Sequence, residues 1–200
     1  MVNFPNKKYG VIYADPPWLF KTRSDKGKDR SPEKHYPVLS IADICNLPVS
    51  DITKPDSVLL MWVVDPLLDQ AFKVIDAWGF KYKTNIVWTK IRKDQGPDGR
   101  GVGFYFRNTT ELVLFGVKGN NVRTKKPGRT QVNIIQTRKR EHSRKPDELY
   151  EIIEKCSWGP FLELFARGKR KKWTNWGNQS KKYTISWNTY KNNSKAKIKA

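Results

Sequence analysis

Residues that bind metals or form disulfides are scarce in this chain. It has two cysteines, Cys45 and Cys156, and two histidines, His35 and His142, among 200 residues. These four residues have neither the spacing of a zinc site nor the density of a disulfide framework. We therefore predict no metal site, and we disfavour the zinc-dependent base deaminases, whose His and Cys ligand set cannot be assembled here.

Long apolar segments are missing too. No run approaches the roughly 18 apolar residues of a membrane span, and the N-terminus lacks the pattern of a signal peptide. We therefore expect a cytoplasmic protein without a membrane partner. Hydrophobic residues make up 38% of the chain and aromatic residues 12%, which is typical of a globular protein. The expected organisation is one domain over residues 1–180 and a basic, flexible tail over residues 181–200.

Acidic residues are too few to balance the basic ones. The 19 Asp and Glu stand against 39 Lys and Arg, which gives a net charge of +20, and residues 118–200 carry +16 of it. Lys and Arg that replace condensed counterions bind nucleic acid with an affinity that falls with salt. Because eight Trp and eight Tyr accompany the charge, we predict nucleic acid as the partner. A solvated basic surface and attraction to acidic lipids are the alternatives.

Strand and helix patterns alternate along the chain. Strands are predicted over residues 9–14, 57–64, 82–89, 109–116, 132–136 and 161–166, and helices over residues 40–46, 65–77 and 146–155. Asp65 is expected to cap the second helix, with Pro66 in its first turn. The alternation predicts an α/β fold with a mostly parallel sheet, an antiparallel edge and helices on both faces. Residues 21–34 and 92–103 are predicted to be flexible loops.

The first strand is followed directly by Ala14-Asp15-Pro16-Pro17-Trp18. Prolines end a strand because they lack an N–H and fix φ, so Asp15 is expected at the carboxyl end of this strand. In open α/β sheets that edge faces the ligand crevice. The motif therefore presents a carboxylate, a rigid backbone and an exposed indole where substrates bind.

Methyl transfer to the exocyclic amine of a flipped base suits this group. The amino nitrogen of adenine is a poor nucleophile because its lone pair is delocalised into the ring. The Asp15 carboxylate and the Pro16 carbonyl could accept both amine hydrogens and localise that pair, while Trp18 stacks on the base. An Asp-Pro-Pro turn with a half-buried Trp explains the residues equally well.

The motif and seven further segments resemble the N6-adenine methyltransferase family named for the seventy-kilodalton subunit of eukaryotic mRNA adenosine methyltransferase. The resemblance runs from about Tyr9 to Gln179. Its segments, in the family's order, are His35-Tyr36-Pro37, Leu60-Met61-Trp62-Val63, Ile86-Val87-Trp88-Thr89-Lys90, Glu111-Leu112-Val113-Leu114-Phe115-Gly116-Val117-Lys118-Gly119, Lys145-Pro146-Asp147-Glu148-Leu149-Tyr150, Glu163-Leu164-Phe165-Ala166-Arg167 and Trp176-Gly177-Asn178-Gln179.

The resemblance implies a Rossmann-like fold and S-adenosylmethionine as cofactor. The glycine fingerprint G-x-G-x-x-G is absent after the strand at 161–166, and the family binds its cofactor through polar side chains instead. Its pattern places Lys145 near the cofactor carboxylate, Arg167 and Asn178 near the ribose hydroxyls and Gln179 beside them. Asp15 and Phe165 complete the predicted cofactor-binding set. The family tends to carry Asn where this chain has Arg170.

The resemblance also implies a substrate pocket that includes Tyr36, Trp88, Lys90 and Glu111, and it places the loop over residues 92–103 near the substrate. Trp88 lies in an apolar strand, where Trp is more often part of the core than a stacking platform. For Glu111 a contact with Lys or Arg near the pocket and a lone surface position are equally consistent with the sequence.

The predicted activity is direct, in-line transfer of a methyl group from S-adenosylmethionine to N6 of adenine in DNA. It involves neither a covalent enzyme intermediate nor a metal, with Asp15, Pro16, Pro17 and Trp18 as the catalytic group. DNA is preferred because the chain looks like the compact microbial or phage-type members of the family and has no appended RNA-binding segment. RNA methylation and a non-catalytic nucleic-acid-binding subunit are the alternatives. Family analogy suggests a homodimer or a heterodimer with a family paralogue.

Overall fold

The computed structural model describes residues 3–19, 37–99, 103, 105–139, 144–180 and 183–184. Tyr36, the predicted loop over residues 21–34 and nearly all of the predicted tail lie outside this set. The strands are β1 Tyr9–Ala14, β2 Thr53–Val63, β3 Lys81–Lys90, β4 Thr110–Lys118, β5 Ile134–Thr137, β6 Phe161–Leu164, β7 Gly168–Lys169, β8 Trp173–Trp176 and β9 Tyr183–Thr184, and the helices are α1 Ile41–Cys45, α2 Leu68–Ala77 and α3 Glu148–Cys156.

Among these elements, seven strands form one mixed sheet in the order β5-β3-β4-β2-β1-β6-β8. Strand β4 is antiparallel to both of its neighbours, β2 and β3, while the other pairings of this sheet are parallel. The predicted α/β class with a mostly parallel sheet is confirmed. The predicted position of the antiparallel strand is wrong, because β4 lies inside the sheet and not at its edge.

Helices cover both faces of the sheet, as predicted. On one face, Ile44 of α1 and Val74 of α2 pack in a buried cluster with Ile12 of β1. On the other face, Leu149 of α3 packs in a second cluster with Val11. All six residues of β1 are buried, as expected for a central strand that is covered on both sides.

The two predicted helix starts differ in outcome. Ser40 caps α1 through a capping box, in which its hydroxyl accepts from the Asp43 N–H and the Asp43 carboxylate accepts from the Ser40 N–H. Asp65 does not cap α2, because a 3₁₀ turn over Asp65–Leu67 comes first and Leu67 occupies the cap position. Its carboxylate instead accepts a hydrogen bond from Asn108. None of the described helices has the length and hydropathy that a membrane crossing requires.

Candidate active site

Asp15 lies where the sequence places it, one residue after the carboxyl end of β1. Ala14 and Pro16 on either side are buried, while the Asp15 side chain retains 28% of its exposure. The Trp18 backbone N–H donates to the Pro16 carbonyl at 2.9 Å, which tightens the turn after the strand. The carboxylate therefore opens onto the edge of the sheet from a rigid support.

Three charged residues from distant parts of the chain lie beside Asp15. The Lys145 ammonium is 3.4 Å from Asp15 Oδ1 and 2.8 Å from Glu111 Oε2. The Lys90 ammonium is 2.6 Å from the other Glu111 oxygen. Two ammonium groups and two carboxylates thus alternate in one chain of contacts, Lys90 to Glu111 to Lys145 to Asp15.

The antiparallel direction of β4 explains how Glu111 reaches this edge. Glu111 is the second residue of β4 and pairs with Trp88 of β3, so the amino end of β4 lies at the carboxyl ends of β1, β2 and β3. Lys90 ends β3 at the same edge, and Lys145 lies three residues before α3 begins. The prediction that Glu111 contacts Lys or Arg near the pocket is confirmed, and the lone surface position is excluded.

Burial and charge act in opposite directions on these groups. Burial raises the pKa of Asp15, and the neighbouring Lys145 offsets only part of that effect. Burial would also raise the pKa of Glu111, but Lys145 and Lys90 outweigh it and lower the value from 4.5 to about 2. Burial would lower the pKa of Lys145, whereas Asp15 and Glu111 raise it above its ordinary value. Lys145 and Glu111 are therefore charged at neutral pH.

The aromatic residues near this chain of charges are part of the core. Trp88 is 3% exposed, and its indole N–H donates to the Thr137 hydroxyl at 2.8 Å. Its ring packs edge-on against Trp62 and lies 5.3 Å below the Lys90 ammonium. Trp88 thus has the core position that is more common for Trp in an apolar strand, and its place in the substrate pocket stays a prediction. Its ring supports Lys90 from below.

Trp18 is buried as well, with 4% of its surface exposed. Its indole N–H donates to the Trp62 carbonyl at 3.1 Å, which ties the turn after β1 to β2. The expectation of an exposed indole is therefore wrong, whereas the predicted role of Trp18 in stacking on the base stays a prediction. Trp18 fixes the turn that carries Asp15.

The predicted cofactor residues after β6 come together with the turn after β8. Arg167 Nε donates to the Gln179 amide oxygen at 3.1 Å, and the Ala166 N–H donates to the Trp176 carbonyl at 2.8 Å. Phe165 has a φ of +62°, a left-handed conformation that is uncommon for a residue other than glycine. Strain of this kind is typical of binding sites, where the surrounding structure holds the backbone in place. The charge of Arg167 also lowers the pKa of Asp15, so Arg167 lies within electrostatic reach of that carboxylate.

Gly177 allows the close approach of these two segments. A Cβ on this residue would lie 2.7 Å from the Ala166 nitrogen and 2.8 Å from its carbonyl oxygen, nearer than side chains come to backbone atoms. Asn178 follows on the exposed side of the turn, and Gln179 is half-buried. The contact places Phe165, Arg167, Asn178 and Gln179 around one backbone junction.

A model of the MT-A70 family matches residues 9–179 of this chain. The chain belongs to the MT-A70 family. It is 34% identical over 192 residues to the Type II methyltransferase M.MunI of a Mycoplasma species, with 86% of this chain and 78% of that protein covered. It is also 30% identical to a probable N(6)-adenosine-methyltransferase MT-A70-like protein of Oryza sativa subsp. japonica, and 29% identical to the human N(6)-adenosine-methyltransferase catalytic subunit METTL3.

In the last two comparisons the match covers 86% of this chain but 23% and 28% of the relatives, so the chain spans about a quarter of their length. Family membership confirms the predicted resemblance and, with it, the methyltransferase class and S-adenosylmethionine as the methyl donor. The roles of the individual side chains stay predictions.

Arg170, where MT-A70 proteins tend to carry Asn, has a structural partner in this chain. Its guanidinium donates to the Asp147 carboxylate just before α3 and lies 3.8 Å from the centre of the Tyr150 ring. Arg170 thereby joins the turn after β7 to Asp147, which lies just before α3 and two residues after Lys145. This position of the MT-A70 pattern serves packing here.

Beside Arg170 lies a carboxylate that sequence analysis did not single out. Glu163 of β6 accepts hydrogen bonds from the Tyr150 hydroxyl at 2.7 Å and from Asn175 Nδ2 at 2.9 Å. Burial raises its pKa from 4.5 to about 7, although Tyr150, Arg170 and Asn175 favour the charged form. An acidic residue inside an otherwise apolar strand is a signal for such a group, because buried Glu is rare unless it is paired.

Asp65 and Asn108 are a second pair that sequence analysis missed. Asn108 Nδ2 donates to Asp65 Oδ2 at 2.5 Å, which links the turn after β2 to the segment before β4. Burial and the charge of Glu111 raise the pKa of Asp65, while Lys90 lowers it. Asp65 therefore lies within electrostatic reach of the central charges.

Proposed function

We propose that this MT-A70 methyltransferase transfers a methyl group from S-adenosylmethionine to the exocyclic N6 of adenine in DNA. The observation that carries the proposal is the position of Asp15 at the carboxyl edge of the sheet, held by Lys145 at 3.4 Å and followed by two prolines. An acceptor at this edge meets the amine of a base that enters the crevice.

Asp15 and the Pro16 carbonyl would accept the two hydrogens of the adenine amine. This contact localises the nitrogen lone pair and directs it away from the ring, where it can attack a methyl group in line. Burial raises the pKa of Asp15 while Lys145 favours its charged form, and we assign this carboxylate positioning and stabilisation of developing charge. The amine proton would be released to water as the new N–C bond forms, and the methyl–sulfur bond would break at the same time, so that the donor leaves as a thioether.

The donor set of the crevice fits S-adenosylmethionine. Lys145 has three N–H groups, of which Asp15 and Glu111 engage two, so the third is available for the cofactor carboxylate. Arg167, Asn178 and Gln179 would bind the ribose hydroxyls, beside Phe165. When bound, the cofactor supplies an electrophilic methyl group on a sulfonium.

Lys90 and Glu111 would form the wall of the pocket on the substrate side. Both belong to the ion-pair chain described above, so they are fixed before a base arrives. Preorganised charges of this kind lower a barrier more than groups that must reorient during the reaction. Tyr36, the remaining predicted substrate residue, lies outside the described residues.

DNA is the proposed substrate because the chain matches the Type II methyltransferase of the Mycoplasma species over most of both chains. RNA is the second candidate, since the relatives from rice and human are named as adenosine methyltransferases. The human relative is named as a catalytic subunit, which supports the predicted association with a second copy or with a paralogue.

One assay tests the activity and its substrate together. The protein is incubated with isotope-labelled S-adenosylmethionine and matched DNA and RNA oligonucleotide pools, which are then digested to nucleosides. We expect N6-methyldeoxyadenosine from DNA with the wild type, and no labelled nucleoside with Asp15→Ala. Labelled cytosine, or label in RNA alone, would contradict the proposal. Light scattering of the purified protein measures its oligomeric state.

A further inference from the structure

Two exposed aromatic residues lie next to the crevice and have no role in the proposed chemistry. We propose that Tyr105 and Phe106 form an aromatic tip that inserts into double-stranded DNA beside the target adenine, so that the site takes its base from a duplex. This inference rests on the proposed function and names the form of nucleic acid that the site recognises.

Exposure first sets these residues apart. Tyr105 is 83% exposed and Phe106 is 84% exposed, the highest values among the large hydrophobic residues of the described chain. Single exposed apolar side chains are common on protein surfaces, but two consecutive aromatic rings present a large apolar surface to water. A ligand that covers both rings would remove that cost.

The aromatic tip is held by close contacts at its base. A Cβ on Gly103 would lie 1.7 Å from the Phe106 carbonyl oxygen, so the chain turns back on itself with glycine in the tightest position. Arg107 Nη1 donates to the Gly99 carbonyl at 3.5 Å, and Asn108 donates to Asp65. The tip is thus presented from a braced turn.

This turn is joined directly to the strands that carry the central charges. The Lys90 N–H donates to the Thr109 carbonyl at 2.7 Å, and Thr110 begins β4 immediately before Glu111. Phe106 therefore lies five residues from Glu111 along the chain, on the same edge of the sheet. An aromatic tip in this place contacts the bases next to one that enters the crevice.

Charge favours nucleic acid over a second copy of the chain as the occupant. The net charge of +20 attracts a phosphate backbone, an attraction that a second, equally positive copy does not offer at this tip. Arg107 directly follows the tip and is itself exposed. Inserted apolar side chains hold unstacked base steps apart in known complexes with duplex DNA, and aromatic rings stack on every base without regard to sequence.

The test compares one DNA in two forms. The probes are unmethylated plasmid DNA as a duplex and the same DNA after heat denaturation, each incubated with labelled S-adenosylmethionine. For the double variant Tyr105→Ala/Phe106→Ala we expect roughly a 10- to 100-fold lower initial rate on the duplex, the range that loss of base stacking predicts. On denatured DNA, where no duplex must be opened, we expect a change of less than about threefold.

Two further variants serve as controls. Phe106→Tyr keeps an aromatic ring and should retain the rate on the duplex. Trp158→Ala removes another exposed ring, which is 67% exposed and precedes β6 at the opposite edge of the sheet. This variant should leave both rates unchanged. The thermal midpoint of every variant confirms that it is folded.

The outcomes separate this inference from the proposed function. A wild type that labels neither form of DNA refutes the proposed function itself. A wild type that labels denatured DNA alone, or a double variant with equal rates to the wild type on both forms, overturns the inference while the activity stands. An equal loss on both forms, together with a dimer that becomes a monomer in light scattering, would assign the tip to a protein interface and likewise overturn it.

Discussion

The ammonium group of Lys145 lies 2.8 Å from the Glu111 carboxylate and joins the residues before α3 to the start of β4. The same ammonium reaches Asp15 at 3.4 Å, so residues from three separate parts of the sequence meet at one point. Because Lys90 occupies the second Glu111 oxygen, each charge in this group has a partner of opposite sign. Removal of Glu111 would leave Lys90 without its contact in this group, and removal of Lys145 would do the same to Asp15, whereas removal of Lys90 or Asp15 leaves the other charges paired.

Asp15→Asn should reduce methyl transfer by roughly 10²–10³-fold or more, the usual effect of removing a preorganised polar group from an active site. The amide has a similar shape but carries no charge. Its NH₂ group is a donor at a place where the adenine amine needs an acceptor. The measurement is the initial rate with labelled S-adenosylmethionine. Asp69→Asn, at an exposed position of α2, is the matched control and should keep the wild-type rate. A fully active Asp15→Asn enzyme would refute the assignment of Asp15.

Glu111→Gln should lower the free energy of unfolding at neutral pH. The variant should also lose less stability than the wild type when the pH falls into the acid range. The low pKa of Glu111 in the folded state means that its contribution is complete above pH 4.5 and disappears as the pH falls towards about 2. The shift corresponds to about 3 kcal/mol. Urea unfolding at pH 7 and between pH 5 and 3 measures the loss and its dependence on pH.

The control for Glu111→Gln is a surface ion pair of similar geometry. Arg92 Nη2 lies 2.8 Å from Asp94 Oδ2, but both side chains are at least half exposed. Asp94→Asn should leave the free energy of unfolding unchanged, because exposed ion pairs contribute little. Equal losses of unfolding free energy in the two variants would mean that the contacts of Glu111 contribute no more than an exposed ion pair does.

Gly177→Ala should impair cofactor binding more than folding. A methyl group at this position meets the Ala166 backbone at 2.7 Å, so the turn that carries Asn178 and Gln179 must move away from Arg167. We expect at least a tenfold weaker affinity for S-adenosylmethionine by calorimetry, which corresponds to the loss of about one hydrogen bond to a ribose hydroxyl. Gly99→Ala is the control, since a Cβ there has no heavy atom within 4 Å and should leave affinity unchanged.

The position of Asp15 could be predicted because it depends on local chemistry. An apolar run ends at two prolines, and both the end of β1 and the edge that it faces follow from that pattern. The contact of Glu111 with Lys or Arg was one of two open alternatives, since the residues of β4 do not determine the direction of this strand. Its antiparallel insertion between β2 and β3 is decided by the whole sheet, and it alone places Glu111 beside Lys145.

The burial of Trp18 could not be predicted, and that of Trp88 was only the more common of two alternatives, for a similar reason. An indole has an apolar body and one N–H, so it suits both a core and a stacking platform. The acceptors that decide between these roles are the Trp62 carbonyl and the Thr137 hydroxyl, which lie 44 and 49 residues away in the sequence. Contacts over such separations exist only once the sheet is formed.

Relative to the wild type, Glu163→Gln should gain stability as the pH rises from 4.5 to about 7. The pKa of Glu163 is raised to about 7 in the folded state, so between pH 4.5 and 7 the folded protein holds a proton that the unfolded chain has released. The free energy of unfolding therefore falls as the pH rises through this interval, by about 3 kcal/mol for this group. Gln has no proton to lose, and it keeps an oxygen that accepts from the Tyr150 hydroxyl, so the variant lacks this fall.

Urea unfolding of both proteins at pH 5, 6, 7 and 8 gives the difference at each pH, which should grow in favour of Glu163→Gln up to about pH 7 and then level off. Glu151→Gln, at an exposed position of α3, should give a difference that does not change with pH. A constant difference for Glu163→Gln as well would show that the carboxylate is charged in the folded state throughout, with Tyr150, Arg170 and Asn175 outweighing the effect of burial.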